Sequence, residues 1–486
     1  MLQFFGMTNQ RKKRQIPNKA KDLSEWYLAV VREAKLADYA PVRGTMVFRP
    51  WGYALWENLQ KYLDDLIKEM GVENAYFPIF IPMSLLEKEE SHVEGFSPEL
   101  AVVTHGGGER LKEALAVRPT SETIMYTMFS KWISGWRDLP LKINQWANVV
   151  RWEKRTFPFL RTAEFLWQEG HTAHATHEEA KAQVYLALEA YKKVFFEQLA
   201  VWGVTGWKSE SEKFAGGLKT TSFEALMPDG KALQAATSHD LGQNFSRAFE
   251  VSFQDKEGKK KYVWQTSWGL STRALGGLIM VHGDDQGLFL PPKIAPIQIV
   301  IIPIYQDKNK KIVLTAAKNL ALELKQQFKV KLDDRESYSP GWKFNDWEIK
   351  GVPLRIEIGP KDLEKNQVVV VRRDNFDKLA VARVELEEVI KKLLAKQQKE
   401  ALEKSKKMTQ EKTHLVDSYD RFKQIMDGER GFIKAFWCGN PECETKIKAE
   451  TKATTRCLPF DSKEENGHCI YCGKPAKYRW YFAQAY

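Results

Sequence analysis

Cysteine is missing from the first 437 of the 486 residues; all five cysteines stand in the last 49, at Cys438, Cys443, Cys457, Cys469 and Cys472. That distribution excludes a disulfide framework spread through the fold and predicts a reducing, cytoplasmic compartment. Long apolar runs are missing as well. The best candidate, residues 294–305, is broken by two prolines and Gln298, whereas a spanning helix needs about 20 apolar residues. No membrane partner is expected. Residues 1–7 are apolar but short, and their basic residues follow rather than precede them, the reverse of a secretory signal. Serine is absent from the first 21 residues, which argues against a transit peptide.

What is present suits a multidomain globular chain. A hydrophobic content of 43% supports packed cores, and the length allows two to four domains at roughly 100–200 residues each. The net charge of +11 is concentrated. Residues 8–21 carry six basic side chains and no acid, and residues 391–412 carry eight basic against three acidic. Two basic segments on a balanced body suit a polyanion such as RNA; a basic tail plus an ordinary charged helix face explains them equally.

Periodicity predicts helices from Asp22 and over residues 51–70, the latter stopping at Gly71. Strands are expected at 75–81, 147–153, 163–169 and 262–266. The second and third form an antiparallel hairpin with a basic tip, 154–162. Thr176 and Glu179 make a capping box that opens a helix to about residue 200. This grouping indicates an α+β fold with a largely antiparallel sheet over 21–290, after a basic tail at 1–20. Beyond Pro291-Pro292 the pattern becomes α/β over 291–395: strand 297–304, helix 312–330, strands 354–358 and 368–372. A charged helix, 384–412, leads into a small α+β domain at 396–486.

Three sets of residues carry candidate chemistry. In the hairpin, alternation places Arg151 and Glu153 on one face, with Phe165, Trp167 and Glu169 on the returning strand and Arg161 and Thr162 just before it. This is either a surface ion-pair ladder or an arginine cluster meeting a phosphate. Arg273, after a glycine-bearing turn, could meet a phosphate too, although an ordinary helix start reads the same way. Cys438-x4-Cys443 and Cys469-x2-Cys472 have the spacing of a four-thiolate zinc site, with unligated core thiols as the alternative. Cys457 is left over as a plain thiol. His171, His174 and His177 recur every third residue but span a strand-to-helix transition; His171 is expected in a pocket, the other two on the surface.

These segments resemble the class II aminoacyl-tRNA synthetases, and among them the prolyl-tRNA synthetases of the archaeal and eukaryotic type. Arg43-Gly44-Thr45-Met46-Val47-Phe48-Arg49-Pro50 is similar to motif 1, Arg151 through Thr162 to motif 2, and residues 269–287 with Arg273 to motif 3. Arg118-Pro119-Thr120-Ser121-Glu122, residues 165–171 and residues 234–239 resemble the family's pocket segments. The resemblance implies a homodimeric enzyme that uses ATP with Mg2+ to activate L-proline and transfers it to tRNA(Pro), binding no DNA. It implies that Arg151, Glu153, Arg161, Thr162, Gln234, Thr237 and Arg273 bind ATP, with Arg151 and Arg273 catalytic. Thr120, Glu122, Arg151, Trp167, Glu169, His171, His239 and Ser271 would bind proline. It further implies an anticodon-binding middle domain, structural Zn2+ on Cys438, Cys443, Cys469 and Cys472, and a terminal Tyr486 tucked toward the catalytic domain. A threonine-specific relative would need a cysteine on its active-site zinc, which this region lacks; a silent, RNA-binding paralogue would usually have lost the motif arginines. Only 108 residues separate Thr162 from Ser271, which leaves no room for an inserted editing domain.

Overall fold

The computed structural model describes residues 16–92, 100–153 and 155–486. One sheet of eleven strands joins the N-terminal and C-terminal parts of the chain. In spatial order its middle runs Gly203–Trp207, Lys219–Leu226, Ala232–Gly242, Trp264–Ser271, Glu164–His174 and Leu141–Val150, all antiparallel neighbours. The helix His177–Lys193 opens with the expected Thr176–Glu179 capping box and continues into a wide turn, Val194–Gln198. It packs its apolar side, including Val184, Leu188 and Tyr191, against this sheet. The helices Leu23–Glu33 and Pro50–Glu69 complete the main core.

The hairpin forms, but its first strand stops at Val150. Glu153 N–H donates to Arg151 O at 2.7 Å, turning the backbone out of the ladder. Arg151 and Glu153 are therefore not neighbours on one strand face, as alternation suggested. Most of the strand expected at 75–81 is irregular; only Glu73–Asn74 and Phe80–Pro82 pair, and Pro78 between them lacks the donor a ladder needs. The helix expected over 312–330 is Lys310–Leu324, and Val330 already begins the strand Val330–Leu332.

The middle domain is a five-stranded sheet in which Val330–Leu332, Ile299–Pro303 and Leu354–Ile358 run parallel and Gln367–Arg372 and Lys378–Ala382 return antiparallel. It is latched to the N-terminal body by Arg373, whose guanidinium grips both oxygens of Asp284 at 2.7 and 2.8 Å. The turn at 282–285 is thus a joint between domains. It also holds the chain's entry: Asn18 donates to Asp285 at 2.7 Å and Lys19 Nζ to Gly283 O at 2.6 Å. Residues 16–20, expected in a free tail, are bonded to the body; residues 1–15 lie outside the described part.

A 26-residue helix, Leu386–Glu411, runs unbroken through the expected division at 395/396. The C-terminal strands then continue the large sheet. Ala453–Pro459 pairs with Gly203–Trp207, and Arg479–Gln484, Phe432–Phe436 and Thr413–Leu415 extend it outward. The approach is close: a Cβ on Gly206 would lie 2.2 Å from Leu458 O, so only glycine fits there. Tyr486 ends beside the strand Ala232–Gly242, its N–H donating to Ala232 O at 3.1 Å.

Candidate active site

Above the antiparallel strands lies a cavity of about 230 Å³. Strand alternation builds its floor. On Glu164–His174 the odd residues Phe165, Trp167, Glu169 and His171 face the cavity, while Gln168 points away and accepts from Tyr191 at 2.7 Å. From the neighbouring strand come Ser267, Gly269 and Ser271. Gly269 keeps the floor open, since a methyl group there would meet the Trp167 ring at 3.1 Å.

Glu169 and His171 form a buried pair, Oε2 to Nε2 3.3 Å. Glu169 also accepts from Ser121 at 2.5 Å and from its cross-strand partner Gln145 at 2.9 Å. Burial opposes its charge, but the His171 bond and these donors outweigh burial and hold its pKa below the ordinary carboxylate value. Burial likewise opposes charging His171; the Glu169 bond and the charges of Glu122 and Glu169 win, so its pKa is raised. His239 differs. Its ring nitrogens meet Thr220 and Thr237, each at 3.0 Å, and burial together with the charge of His171 pushes its pKa down to about 3. It is a neutral wall residue.

The loop with Thr120 and Glu122 is positioned by Arg118, which is buried and donates to Phe77 O at 2.7 Å and Asn148 O at 2.8 Å. Thr120 donates to Glu122, and both line the cavity. Pro119 O in the same loop accepts from Arg151 Nε at 3.1 Å. The Arg151 guanidinium lies 4.8 Å from the centre of the Trp167 ring. Opposite it, Arg273 donates to Leu160 O at 3.1 Å and Gln234 O at 3.3 Å. Burial, then the charges of Arg151 and Arg161, lower Arg273 to about 10. Two cations held by backbone carbonyls and repelling each other make a receptor for an anion.

The structure brings together Thr120, Glu122, Arg151, Trp167, Glu169, His171, Gln234, Thr237, His239, Ser271 and Arg273 around this cavity. Glu153, Arg161 and Thr162 line a smaller adjoining cleft that shares Arg151, Ser271 and Arg273. There Arg161 pairs with Glu153 at 2.8 Å, so part of the hairpin is an ion pair after all. The surface expectation fails for His174, which is buried against Thr172 and lowered to about 4, by burial and then by Lys142; His177 stays partly exposed. His177 stacks on Trp264 and bonds Asp240 at 2.7 Å. Sequence reasoning missed Glu212, Lys213 and Phe214, which form another wall; Phe214 packs on His239 with ring centres 4.6 Å apart. Their stretch reads as a charged surface loop, and nothing in it signals a pocket.

The four cysteines converge, with all Sγ atoms within 4.8 Å of one another. Cys438 lies 3.8 Å from both Cys443 and Cys472. A tetrahedron with Zn–S bonds of about 2.3 Å has edges of about 3.8 Å, so the geometry fits a metal ion. Burial raises the Cys443 thiol, whereas the Lys474 backbone N–H, as the largest influence, lowers Cys472 to about 7. Cys457 is buried apart from the cluster.

Three family models match the chain: tRNA synthetase class II core domain (G, H, P, S and T) over residues 103–282, Anticodon binding domain over 298–396, and Prolyl-tRNA synthetase, C-terminal over 419–486. Among curated relatives, the Proline--tRNA ligase of Natranaerobius thermophilus is 55% identical over 484 residues, covering 99% of this chain and 100% of the relative. The Proline--tRNA ligase 2 of Clostridioides difficile is 52% identical over 466 residues, 96% of each chain. The crystal structure of prolyl-tRNA synthetase from Cryptosporidium parvum, complexed with halofuginone and AMPPNP, matches with a TM-score of 0.92 at 47% identity, covering 97% of this chain and 99% of that one.

Proposed function

The chain belongs to the class II prolyl-tRNA synthetases, and from that membership we infer that it is a proline–tRNA ligase. It joins L-proline to ATP as prolyl-adenylate, releasing pyrophosphate, and then passes the prolyl group to the terminal ribose of tRNA(Pro). The observation that carries the site assignment is the convergence of Arg151 and Arg273 with the Glu169–His171 pair on one cavity.

The residues suit the chemistry asked of them. Proline's carboxylate is an anion at neutral pH, so its attack on the α-phosphate needs no general base. It needs alignment, and positive charge where the phosphoryl oxygens gain negative charge. Arg151 and Arg273 supply that charge from fixed positions. ATP enters as its Mg2+ complex, the ion keeping phosphate and water ligands. Glu153, oriented by Arg161, faces the adenine amino group, with Thr162, Gln234 and Thr237 completing the nucleotide site. Thr120 and Glu122 hold the proline ammonium; Trp167, Glu169, His171, His239 and Ser271 enclose the ring.

The other assignments follow the same reading. Residues 21–290 are the catalytic domain and 291–395 bind the anticodon, the long helix carrying the junction. Residues 396–486 form a zinc-stapled C-terminal domain, with Cys438, Cys443, Cys469 and Cys472 holding Zn2+ structurally. A second copy covers the motif 1 face, where Tyr39, Val42 and Val47 are 67%, 54% and 51% exposed. The enzyme works in the cytoplasm. The test is ATP–pyrophosphate exchange measured with each amino acid separately. Proline-dependent exchange is expected; exchange with threonine alone, or with none, would sink the assignment.

A further inference from the structure

Glu444 stands in the first turn of the helix Pro441–Thr451, one residue after Cys443, and its carboxylate is buried. It is satisfied by hydroxyls: Ser209 donates at 3.0 Å, and Ser211 and Thr455 donate as well. Burying a carboxylate among neutral donors is costly unless each bond is made, so the arrangement fixes the groups that supply them. Two of the three lie on the segment joining the strands Gly203–Trp207 and Lys219–Leu226. Directly after Ser211 come Glu212, Lys213 and Phe214, the cavity wall described above. One helical turn beyond Glu444, Lys448 reaches Glu212 at 3.8 Å. The helix thus grips this loop at two points.

The loop leads straight to the pocket. Phe214 N–H donates to Thr220 Oγ1 at 2.9 Å, and that hydroxyl meets His239 Nδ1 at 3.0 Å beneath the Phe214 ring. Docking of the C-terminal domain has separate means. Arg456 grips Glu224 with two nitrogens, at 2.7 and 3.0 Å, and the strands pair at Leu458–Trp207 and Pro459–Gly206. The Glu444 bonds to Ser209 and Ser211 hold the loop instead.

We propose that Glu444 is a positioning residue for the amino-acid pocket: without touching substrate, it sets Phe214 against His239 through Ser209 and Ser211. The inference rests on the reading of the cavity as the proline site. Its role is to shape the pocket wall for the amino acid; of the nucleotide residues, Glu153, Arg161 and Thr162 stand in the adjoining cleft, apart from this wall.

The experiment measures proline-dependent ATP–pyrophosphate exchange for the full-length wild type, Glu444→Ala, Glu444→Gln and Ser211→Ala. For Glu444→Ala the KM for proline should rise about tenfold or more while the KM for ATP stays within about twofold. Glu444→Gln, which keeps one acceptor oxygen in place, should recover part of that loss. Ser211→Ala, a change on the exposed side of the loop, should shift the proline KM in the same direction and carries the test if Glu444→Ala fails to fold. An unchanged proline KM in the folded variants overturns the proposal. So does an equal rise for proline and ATP, which would make Glu444 a general stabiliser. Absence of proline-dependent exchange in the wild type would instead defeat the reading of the cavity.

Discussion

Arg151 and Arg273 reach the same cavity from different structural elements, Arg151 braced on Pro119 O and Arg273 on Leu160 O, and the charge of Arg151 helps to lower the pKa of Arg273. Among the described residues each is held by a backbone carbonyl rather than by a bonded carboxylate, so its position is set by the fold. On the proposed function, a phosphoryl-transfer transition state would meet that charge without further reorganisation.

Replacing Arg151 with Ala should therefore reduce proline-dependent exchange about 100-fold or more, on the scale of losing one preorganised donor, while the protein stays folded. Arg151 lies at the cavity edge rather than in the core, so circular dichroism should be unchanged. Near-normal exchange would remove Arg151 from the chemistry.

Acid stability follows from the buried imidazoles. His239 is lowered to about 3, and His174 and His282 to about 4, burial being the largest cause in each. A depressed histidine binds its proton more readily in the unfolded chain, so stability is lost as pH falls from about 6.5 toward these values. His171, raised by its carboxylate neighbours, acts in the opposite sense: its contribution is full below about 6.5 and lost as pH rises through its folded value. At pH 5.5 the three depressed histidines each take up about 0.9 proton on unfolding and His171 gives back only about 0.1, so a net uptake of nearly three protons by these groups is expected. His282 offers a check because its Nε2 donates to Leu199 O at 2.8 Å and it does not line the cavity. The His282→Gln variant should flatten the dependence of the urea midpoint on pH by about one proton; equal slopes for wild type and variant would refute this assignment.

Much of the site was legible because strand alternation and the motif segments are local. Phe165, Trp167, Glu169 and His171 fall on one face by period two, and that face proved to be the floor. What was illegible depends on pairings far apart in sequence. The strand Ala453–Pro459 joins Gly203–Trp207 across some 250 residues, and no local pattern announces the partner of an edge strand. Phe214 was missed for the same reason: its position is set by Thr220, His239 and, through its loop, Glu444. His174 was expected at the surface, but its register opposite Trp264 carries it inside.

The cysteine cluster gives a prediction independent of activity. Protein purified without chelators should carry about one Zn2+ per chain, and Cys469→Ser should release it, because a tetrahedral site closed by four thiolates loses most of its affinity with three. Elemental analysis of carefully prepared protein checks this. Absence of metal from the wild type would defeat the zinc assignment even though the thiols converge.

The last prediction concerns a substrate smaller than the intended one. The pocket walls, Trp167, Phe214 and His239, exclude larger side chains by contact, but no wall can exclude alanine by size. Each missing methylene costs the wrong substrate only about 1–3 kcal/mol, so alanine should be activated at a kcat/KM reduced roughly 10²- to 10⁴-fold, still measurable by exchange. Hydrolysis of the mischarged product would need a second site. Between Thr162 and Ser271 the chain is spent on the strands Glu164–His174, Gly203–Trp207, Lys219–Leu226, Ala232–Gly242 and Trp264–Ser271 of the large sheet, the helix His177–Lys193, and the helix Asn244–Ala248 with the small hairpin Ser252–Gln254 and Lys260–Tyr262, whose Phe245 and Phe253 share a core with Phe77, Tyr126 and Phe129. That stretch contributes no separate core for an editing pocket. Incubating the enzyme with preformed alanyl-tRNA(Pro) should leave the ester at its buffer rate. Rapid deacylation would show that this chain clears its own errors, and would place a hydrolytic site elsewhere on the molecule.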